Sequence, residues 1–494
     1  MRCPDMIGVL RNTLKRAFLH WVAASDRREF ARRGLDMHGL DPAHWDLSIS
    51  DAGHLQAQGC DLVSLAREYG TPLYVVDGER LARNYRAFLD AFTAHYPRVV
   101  IGTSYKTNPL PRVISALHDC GAYAEVISHF ELWLALRLGV PGDSIIVNGP
   151  GKTRQGLELA IANRARIINI DGLHEIDWIA GLAEKYDHRQ QVGVRVVTSV
   201  GWSAQFGLGI ANGQAMQAFA QLRECGQLDP CGLHVHLGTG IRNIETYLKA
   251  IREALEFARL LKRDLDIDIR YFDFGGGFGV PTVKEFSHVD VMLRANDMPV
   301  RPLDTEACPD VNEYGRAIAE LMGQYYSLTD PEAPTLIFEP GRAITSSAQI
   351  LLVEVLATKD GANGVTNIIV NGGKNIAMPT GYEYHELFVA SKMNAPRVGR
   401  SSVFGPLCHP GDILFKLKKL PAVTAGDVLA IMDAGAYFVP NQMNFSNPRP
   451  SAVMLQGGRA ELIRERESFE DIIALDQLHN AYDDALLASS RQGR

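Results

Sequence analysis

The chain has 494 residues, 46% of them hydrophobic, which is enough to bury large cores in about two or three domains. Its 50 Lys and Arg against 57 Asp and Glu give a net charge of -7, so we expect no nucleic-acid partner. No run approaches the roughly 18 uninterrupted apolar residues of a membrane span, so we expect no membrane segment.

The 7 cysteines are odd in number and scattered, without a CxxC pair that would hold zinc or a redox disulfide. We therefore expect reduced thiols in a cytoplasmic protein. Residues 1–68 form an N-terminal extension whose role the sequence does not indicate. Within it, residues 6–24 carry basic side chains among apolar ones, and we predict a short amphipathic helix rather than a signal peptide.

The next segment, 69–98, is predicted to pack with a later β domain. Its compact apolar run at 71–76, which contains Pro72, predicts a strand. Residues 78–96 follow with apolar side chains at helical spacing, which predicts a helix.

From residue 99 to 345, short apolar strands alternate with helical stretches. This alternation predicts the α/β class and a (β/α)₈ barrel. The eight predicted strands span 100–106, 122–128, 145–148, 167–170, 192–197, 232–237, 271–274 and 336–339.

The pattern changes in the last part, 346–494, where β runs are separated by Gly and Pro turns with few helical intervals. We predict a C-terminal, mostly antiparallel β-sandwich or barrel domain. Its predicted strands span 350–356, 367–370, 413–417, 428–431 and 452–455. The tail after Glu467 is acidic and helical in tendency.

A lysine ends the first barrel strand. Lys106 follows the apolar run 99–101 and precedes a turn marked by Pro109, so it is predicted to lie at the C-terminal lip of the barrel. Most lysines lie on solvated surface, but this position favours a reactive amine. Lys106 is our candidate Schiff-base lysine.

Three consecutive glycines, Gly275, Gly276 and Gly277, follow the predicted strand 271–274. They allow close backbone approach to a phosphate and present N–H donors, at a late barrel strand where phosphate sites are common. A plain tight turn is the alternative. A dinucleotide fold is disfavoured because no GxGxxG pattern follows.

The segment 234–240 carries two histidines. Strand alternation places His234 and His236 on one face, with His236 nearer the C-terminal end. We favour an imidazole facing an aromatic ring, with Thr239 offering its hydroxyl to a phosphate. A hydrogen-bonded core histidine is the alternative, and a metal pair is disfavoured because we expect no third ligand nearby.

The last barrel strand ends in Glu339, followed by Pro340, Gly341 and Arg342. A carboxylate at the barrel mouth is costly unless paired, and a protonated pyridine nitrogen would hold it ionised. The alternative is a salt bridge between Glu339 and Arg342.

The β domain contributes two further candidates. Cys408 lies beside His409 in a loop rich in Gly and Pro, where exposure and a lowered thiol pKa are plausible, although a lone cysteine is more often a buried hydrophobe. Gly435 and Tyr437 follow a β run and are candidates for a phosphate or substrate site, with turn and core roles as alternatives.

The ordered motifs SYKTN, HVHLGTG, FDFGGGFG, EPGR, GPLCHPGD and DAGAY resemble those of the fold-type III, alanine-racemase-like pyridoxal phosphate (PLP) decarboxylases. The resemblance covers about 68–455 and is closest to diaminopimelate decarboxylases, with ornithine and arginine decarboxylases as relatives. It implies PLP as cofactor, an amino-acid substrate, and a homodimer whose cysteine loop enters the partner's site.

The resemblance also implies a role for each matched residue. Lys106 would form the Schiff base, His236 would stack on the ring, and Glu339 would pair with the ring nitrogen. The cofactor phosphate would be bound by Thr239, Gly275, Gly276, Gly277 and Tyr437, and Gly341 would also bind the cofactor. Arg342 would contact phosphate or substrate, and Cys408 would protonate Cα.

Several positions depart from the family pattern. His409 stands where an acid receives the substrate's distal ammonium, and Met378 stands where diaminopimelate decarboxylases have an arginine before a proline. Gln205 replaces a common lysine, and His129 and Phe130 replace a glycine pair. Because histidine supplies no fixed negative charge, these changes point to a different distal group, with His409, Met378, Arg342 and Tyr437 as substrate-binding candidates.

We therefore expect decarboxylation at Cα of an amino acid with a larger or acidic distal group, such as a siderophore or antibiotic intermediate or a carrier-linked amino acid. Diaminopimelate decarboxylation in lysine biosynthesis is the alternative. A PLP-dependent racemase and a non-catalytic PLP-binding protein are the alternatives from other classes. A carboxylate at the ring nitrogen favours a decarboxylase, because it keeps the ring electron-withdrawing.

Overall fold

The computed structural model describes residues 6–36 and 39–476. Its N-terminal helix spans Met6–Arg32 and so continues past the predicted end at residue 24. Leu19 and Phe30 of this helix are buried. None of the helices within the described ranges is long and apolar enough to cross a membrane. The predicted helical tail is described as far as a helix at Phe469–Ile473, and residues 477–494 lie outside the described residues.

Eight parallel strands close into a barrel, as the sequence predicts. Each strand pairs with the next in the chain, and Thr335–Phe338 closes the ring by pairing with Val99–Ser104. The barrel strands are Val99–Ser104, Tyr123–Val126, Ile145–Val147, Ile167–Ile170, Gln190–Val197, Leu228–His234, Tyr271–Asp273 and Thr335–Phe338. Nearly all their side chains are buried, because helices cover the outer face of a parallel sheet.

One strand boundary differs from the prediction in a way that affects the site. The strand predicted at 232–237 is observed at Leu228–His234, so it starts earlier and ends at His234. His236 therefore lies in the loop that follows the strand. Such loops form the C-terminal face of a barrel, where active sites are found.

Helices connect and surround the barrel strands. They are Gly78–Thr93, Pro111–Asp119, His129–Arg137, Arg154–Ala162, His174–Lys185, Gln214–Glu224, Ile244–Leu265, His288–Ala295, Val311–Met322 and Gly341–Thr345. Several begin with a side chain that caps free backbone N–H groups, for example Ser128, Thr153 and Asp310.

A second, mostly antiparallel sheet lies beyond the barrel, and all five predicted strands of this part are present. Its main path runs through Ile413–Leu420, Gly399–Phe404, Thr366–Val370, Gln349–Asp360, Leu73–Asp77, Ser451–Gln456 and Arg459–Arg464. Val428–Ile431 and Leu387–Val389 pair beside this path. The fold is thus a TIM-like barrel plus a β domain, as expected.

The strand Leu73–Asp77 comes from the segment that precedes the barrel. It lies in the second sheet, antiparallel to Gln349–Asp360 on one side and parallel to Ser451–Gln456 on the other. The helix Gly78–Thr93 follows at once and packs its aromatic side chains on the barrel. One continuous stretch of chain therefore joins the two sheets.

The remaining described elements are short. Ser48–Ile49, Leu55–Ala57 and Cys60–Asp61 form a three-stranded sheet followed by the helix Leu62–Tyr69. Lys284–Glu285 pairs with Glu383–Tyr384, and Leu208–Gly209 extends the barrel sheet. Short 3₁₀ turns occur at Pro42–Trp45, Tyr105–Thr107, Gly142–Ser144, Ser346–Ala348, Ala362–Gly364 and Met378–Gly381.

An aromatic cluster holds the last barrel strand against the helix Gly78–Thr93. The ring of Phe338 is fully buried, with its centroid 4.1 Å from that of Phe92 and 6.0 Å from that of Phe274. Phe338→Ala is expected to lower the free energy of unfolding by about 3–5 kcal/mol, because it leaves a cavity in the core. Urea unfolding followed by circular dichroism measures the loss.

The matched control is Phe469→Ala, since that side chain is 76% exposed. It should change stability by less than about 0.5 kcal/mol. Equal losses in the two variants would contradict the packing assigned to Phe338.

Candidate active site

Lys106 lies at the C-terminal mouth of the barrel, as predicted, in the turn that follows the strand Val99–Ser104. Its Nζ donates to Ser104 Oγ at 2.9 Å and to Glu125 Oε2 at 2.5 Å. Ser104 Oγ also donates to the Glu125 carboxylate. Burial opposes the charged form of the amine, but Glu125 and Glu339 raise the pKa of Lys106 above its ordinary value. The amine is thus held as an ammonium beside a carboxylate.

The side-chain amide of Asn148 joins Glu125, which pairs with Lys106, to Glu339. Asn148 Nδ2 donates to Glu125 Oε1 at 3.0 Å and to Glu339 Oε1 at 2.5 Å. Glu339 comes directly after the last barrel strand and is buried. The candidate reactive amine and the candidate ring-pairing carboxyl therefore share one pocket.

Buried carboxyls crowd this pocket. Burial raises the pKa of Glu339 well above its ordinary value, and the neighbouring Asp273 and Glu125 carboxylates raise it further. Burial also raises the pKa of Asp273 to about 7. Asp273 accepts from the Gly275 N–H at 3.0 Å and from Asn169 Nδ2 at 3.3 Å. Near neutral pH the pair Asp273–Glu339 therefore retains a proton, since two adjacent buried carboxylates repel each other.

His236 lies beside Glu339 and is a neutral imidazole. Its Nδ1 accepts from the Gly276 N–H at 3.3 Å and lies 3.8 Å from Glu339 Oε2. Burial lowers the pKa of His236 to about 3, and the nearby Lys106 adds to the effect. His234 is fully buried behind it, and neither of its ring nitrogens has a hydrogen-bond partner among the described residues.

The expectation that no third ligand lies near the two histidines was wrong. His234, His236 and Glu339 offer ligand atoms that all lie within 4.8 Å of one another. The strand order explains the difference, because the barrel folds a carboxyl from the last strand onto the loop after Leu228–His234.

The three glycines form a surface that admits no side chain. A Cβ on Gly275 would lie 2.6 Å from His236 Nδ1, and one on Gly276 would lie 2.1 Å from the Glu339 carbonyl oxygen. Gly277 has a positive φ of 85°, and its Cβ would lie 2.1 Å from a backbone oxygen. Thr239 lies in the neighbouring loop and is partly exposed. This backbone can approach a ligand closely.

Arg342 is not paired with Glu339, so the alternative salt bridge predicted from the EPGR motif was wrong. Its guanidinium instead donates to both Glu383 oxygens, at 3.0 and 2.5 Å. His385 Nε2 also lies 3.3 Å from Glu383 Oε2. Arg342 also lies over the ring of Tyr437, 5.2 Å from its centroid.

Tyr437 and Gly341 both contact the turn that carries Lys106. The Tyr437 N–H donates to the Thr107 carbonyl at 2.9 Å, with Tyr437 at a positive φ of 66°. A Cβ on Gly341 would lie 2.2 Å from Thr107 Oγ1, so glycine is required there. These contacts place Lys106, Gly341, Arg342 and Tyr437 around one opening.

The Cys408 loop connects the strands Gly399–Phe404 and Ile413–Leu420 of the second sheet. Cys408 is exposed, as predicted, and its loop is held by Asp412, which accepts from the backbone N–H of Leu407 at 2.9 Å. His409 Nδ1 accepts from the Gly411 N–H at 3.0 Å. No hydrogen bond or ion pair links Cys408 or His409 to Lys106 in the described part of the chain. Met378 is also exposed, in the turn Met378–Gly381.

Sequence reasoning missed four polar residues of this site: Glu125, Asn148, Asp273 and Glu383. The first three share a signal that was available, because each interrupts or ends an apolar barrel strand near its C-terminal end. Glu383 carries no such signal, since it comes from a short strand of the distant segment 383–384.

A parallel barrel with a lysine, a neutral histidine, a carboxyl and a glycine surface at its C-terminal mouth defines the class of barrel enzymes that use PLP. Residues 79–346 match the family model described as "Pyridoxal-dependent decarboxylase, pyridoxal binding domain". The chain belongs to this family of pyridoxal-dependent decarboxylases. It is a PLP-dependent amino-acid decarboxylase, and the racemase and non-catalytic alternatives are set aside.

The similar proteins include several diaminopimelate decarboxylases. The chain is 29% identical over 439 residues to that of Methanothermobacter thermautotrophicus, covering 87% of this chain and 96% of the relative. It is 27% identical over 438 residues to that of Bacillus subtilis, covering 86% of this chain and 95% of the relative.

Solved structures give the same result. The crystal structure of diaminopimelate decarboxylase from M. jannaschii matches with a TM-score of 0.78 and 28% identity, over 88% of this chain and 98% of that chain. Lysine decarboxylase from Selenomonas ruminantium matches with a TM-score of 0.66 and 21% identity, over 81% and 96% of the two chains. The second likeness supports the fold alone.

The residues present fit this cofactor. Only glycine fits at 275–277, because any side chain would collide with neighbouring protein atoms, and a run of glycines is the kind of backbone that can approach a phosphate. The Asp273–Glu339 pair is a proton-bearing acid group of the kind that a pyridine nitrogen requires, and His236 is neutral and able to lie against a ring.

The raised pKa of Asp273 predicts a pH dependence of stability in the cofactor-free protein. Between its ordinary pKa of about 4 and about 7, the folded state holds a proton that the unfolded chain has released, so stability falls as pH rises. Asp273→Asn cannot titrate. As pH rises through this window, the free energy of unfolding of Asp273→Asn is therefore expected to increase relative to that of the parent protein, by up to about 1.4 kcal/mol per pH unit.

Urea unfolding of the cofactor-free proteins across this pH window measures the difference. Asp119→Asn, an exposed carboxyl outside the site, is the control and should follow the parent protein. Parallel curves for Asp273→Asn and the parent would show that Asp273 holds no extra proton.

Proposed function

We propose that this decarboxylase acts at Cα of an amino acid in the pocket between Lys106 and Glu339. The observation that carries the proposal is the Asn148 amide, which bonds both Glu339 and the carboxylate that holds Lys106. A single aromatic cofactor can contact an amine and a carboxyl that share one pocket. Two separate pockets would have excluded this function.

Each residue has a distinct task in this proposal. When bound, PLP withdraws electrons from the Cα–carboxylate bond and allows CO₂ to leave. Lys106 would supply the amine that holds the cofactor aldehyde. Glu339, with Asp273, would hold a proton at the ring nitrogen, and the neutral His236 would lie against the ring face.

The phosphate would be held by Gly275–Gly277, Thr239 and Tyr437. The geometry supports this assignment, because the glycine surface is adjacent to His236 and the Tyr437 backbone is bonded to the Lys106 turn. Backbone N–H groups and a hydroxyl are suitable donors to a phosphate.

We propose that Cys408 returns a proton to Cα and that it does so across a subunit boundary. Its thiol is exposed and its loop makes no bond to Lys106 within one chain. A homodimer in which each loop completes the other site would satisfy both observations. The free thiols of the described cysteines support a reducing, cytoplasmic location.

Diaminopimelate is the first substrate candidate, since three of the similar proteins named above are diaminopimelate decarboxylases that match over almost their full length. Release of CO₂ from diaminopimelate by the purified enzyme tests it directly. The same assay should include amino acids whose distal group is acidic or conjugated.

A substrate with a larger or acidic distal group is the second candidate. One observation favours it: neither His409 nor Met378 supplies the charge expected for diaminopimelate. Arg342 does not add to the argument, because both ends of its guanidinium fork already donate to Glu383. Faster CO₂ release from such a substrate than from diaminopimelate would select this candidate.

Lys106→Ala is expected to abolish CO₂ release and the visible absorbance of bound PLP, because the amine that holds the aldehyde is gone. Absorbance spectra and the CO₂ assay measure the two effects. Lys185→Ala, which removes an exposed surface lysine, is the control and should keep both. Retention of activity and absorbance in Lys106→Ala would refute the assignment.

Residue 409 provides a test of the distal group. If diaminopimelate is a substrate, His409→Glu supplies a carboxylate for its distal ammonium and should raise kcat/KM by about tenfold. His409→Gln adds no charge and should give no gain. Steady-state CO₂ release measures both variants, and no gain in either would show that residue 409 does not meet the distal group.

A further inference from the structure

A cavity of 360 Å³ lies away from Lys106, between the N-terminal helix and the second sheet. Four parts of the chain line it: the helix Met6–Arg32 and the segments 286–302, 380–385 and 398–419. Neither Lys106 nor Glu339 lines it. It is therefore a separate space, and Glu383 is the residue that it shares with the site around Lys106.

The lining is strongly basic. Seven Lys and Arg side chains line the cavity against two carboxyls, Asp26 and Glu383. Three of the seven, Arg301, Lys416 and Lys418, are each ion-paired with a carboxylate. Glu383 is itself held by Arg342. The cavity thus carries more positive charge than its own acids neutralise.

The other four cations are Arg27, Arg294, Arg400 and Lys419. Among the described residues, none of them has a carboxylate within 4.0 Å. They come from three of the four parts of the wall, so their charge converges on one space. Arg294 and Lys419 are half-buried, where an unneutralised cation is less well solvated than at the surface.

Arg294 is the clearest of these groups. Its guanidinium donates only to backbone carbonyls, to Ile413 at 2.7 Å and to Thr380 at 3.4 Å. Burial lowers the pKa of Arg294, which shows that the charged form is poorly solvated. A half-buried cation whose described hydrogen bonds go to neutral groups is a ready partner for an anion.

Much of the rest of the wall is apolar. Phe286, Val300, Leu414 and Phe415 line the cavity between the cations. The Arg294 guanidinium lies 5.5 Å from the centre of the Phe286 ring. A ligand that fills this space must therefore combine an acidic head with an apolar body.

We propose that this cavity binds a small organic anion, with its carboxylate or phosphate head at Arg294, Arg400 and Lys419 and its apolar body against Phe286 and Phe415. The volume suits a small molecule rather than a chain segment. The N-terminal helix closes the site through Ala23, Asp26 and Arg27, which gives the extension a function.

The cavity also communicates with the active site through one side chain. Glu383 lines the cavity and holds Arg342, which lies over Tyr437 at the opening near Lys106. An anion near Glu383 would alter the charge around that pair, so a bound ligand is expected to change KM for the amino acid. This coupling rests on the proposed function, whereas binding itself does not.

Isothermal titration of the PLP-loaded enzyme with hexanoate, and separately with inorganic phosphate, tests the site. Hexanoate should bind, and Arg294→Met should weaken binding by about tenfold, because a charged hydrogen-bond partner is lost. The double variant Arg400→Met, Lys419→Met should weaken it similarly. Both residues lie on the accessible rim and make no described side-chain bond, so this variant is expected to fold normally.

Two controls separate this site from others. Arg223→Met removes an exposed arginine on a barrel helix and should bind hexanoate as the parent enzyme does. Ala23→Trp places a ring in the cavity from the N-terminal helix and should abolish binding.

The outcomes are distinct. Equal hexanoate binding in the parent and all variants, or no binding of either probe, would overturn the proposal. A third outcome is that phosphate binds, the cavity variants weaken its binding, and hexanoate does not bind. This outcome would overturn the claim that the ligand has an apolar body and would identify a phosphate head. Hexanoate binding with an unchanged KM for the amino acid would overturn the coupling through Glu383, while leaving the binding site supported.

Discussion

The ion pair between Lys106 and Glu125 at the mouth of the barrel is the interaction on which the site depends. Burying either charge alone would cost several kcal/mol, and each compensates the other at 2.5 Å. Asn148 then extends this pair to Glu339, so the position of the amine and that of the distant carboxyl are fixed together. Because a proton remains on the Asp273–Glu339 pair, the pocket holds three carboxyls without three negative charges.

Three strands of the second sheet, Leu387–Val389, Gly399–Phe404 and Arg459–Arg464, were not predicted, because the first is very short and the other two carry many polar side chains. The eight barrel strands and the other strands of the main second sheet were predictable, because their continuous apolar runs are buried wherever they fall. Lys106 and Glu339 were predictable for a related reason, since each directly follows such a run. Their proximity was not predictable from spacing alone, because 233 positions separate them and only closure of the barrel joins the first strand to the last.

Other features required the tertiary structure. Asn148 follows an apolar barrel strand, which marks it as a candidate for the barrel mouth, but only the fold shows that its amide joins Glu125 to Glu339. Arg342 has an acid three residues before it, but its bonds go to Glu383 in a different sheet. The end of the strand Leu228–His234 was predicted too late, because the apolar alternation continues into the loop that carries His236.

The strand Leu73–Asp77 has a consequence for synthesis of the protein. It leaves the ribosome before any part of the barrel, yet both of its sheet neighbours are made after the barrel is complete. Until then its backbone groups lack their partners, and it is an exposed edge that a nascent chain has to protect. Release of a finished barrel with this strand still unpaired would be the step most open to aggregation, and the point at which a chaperone would help most.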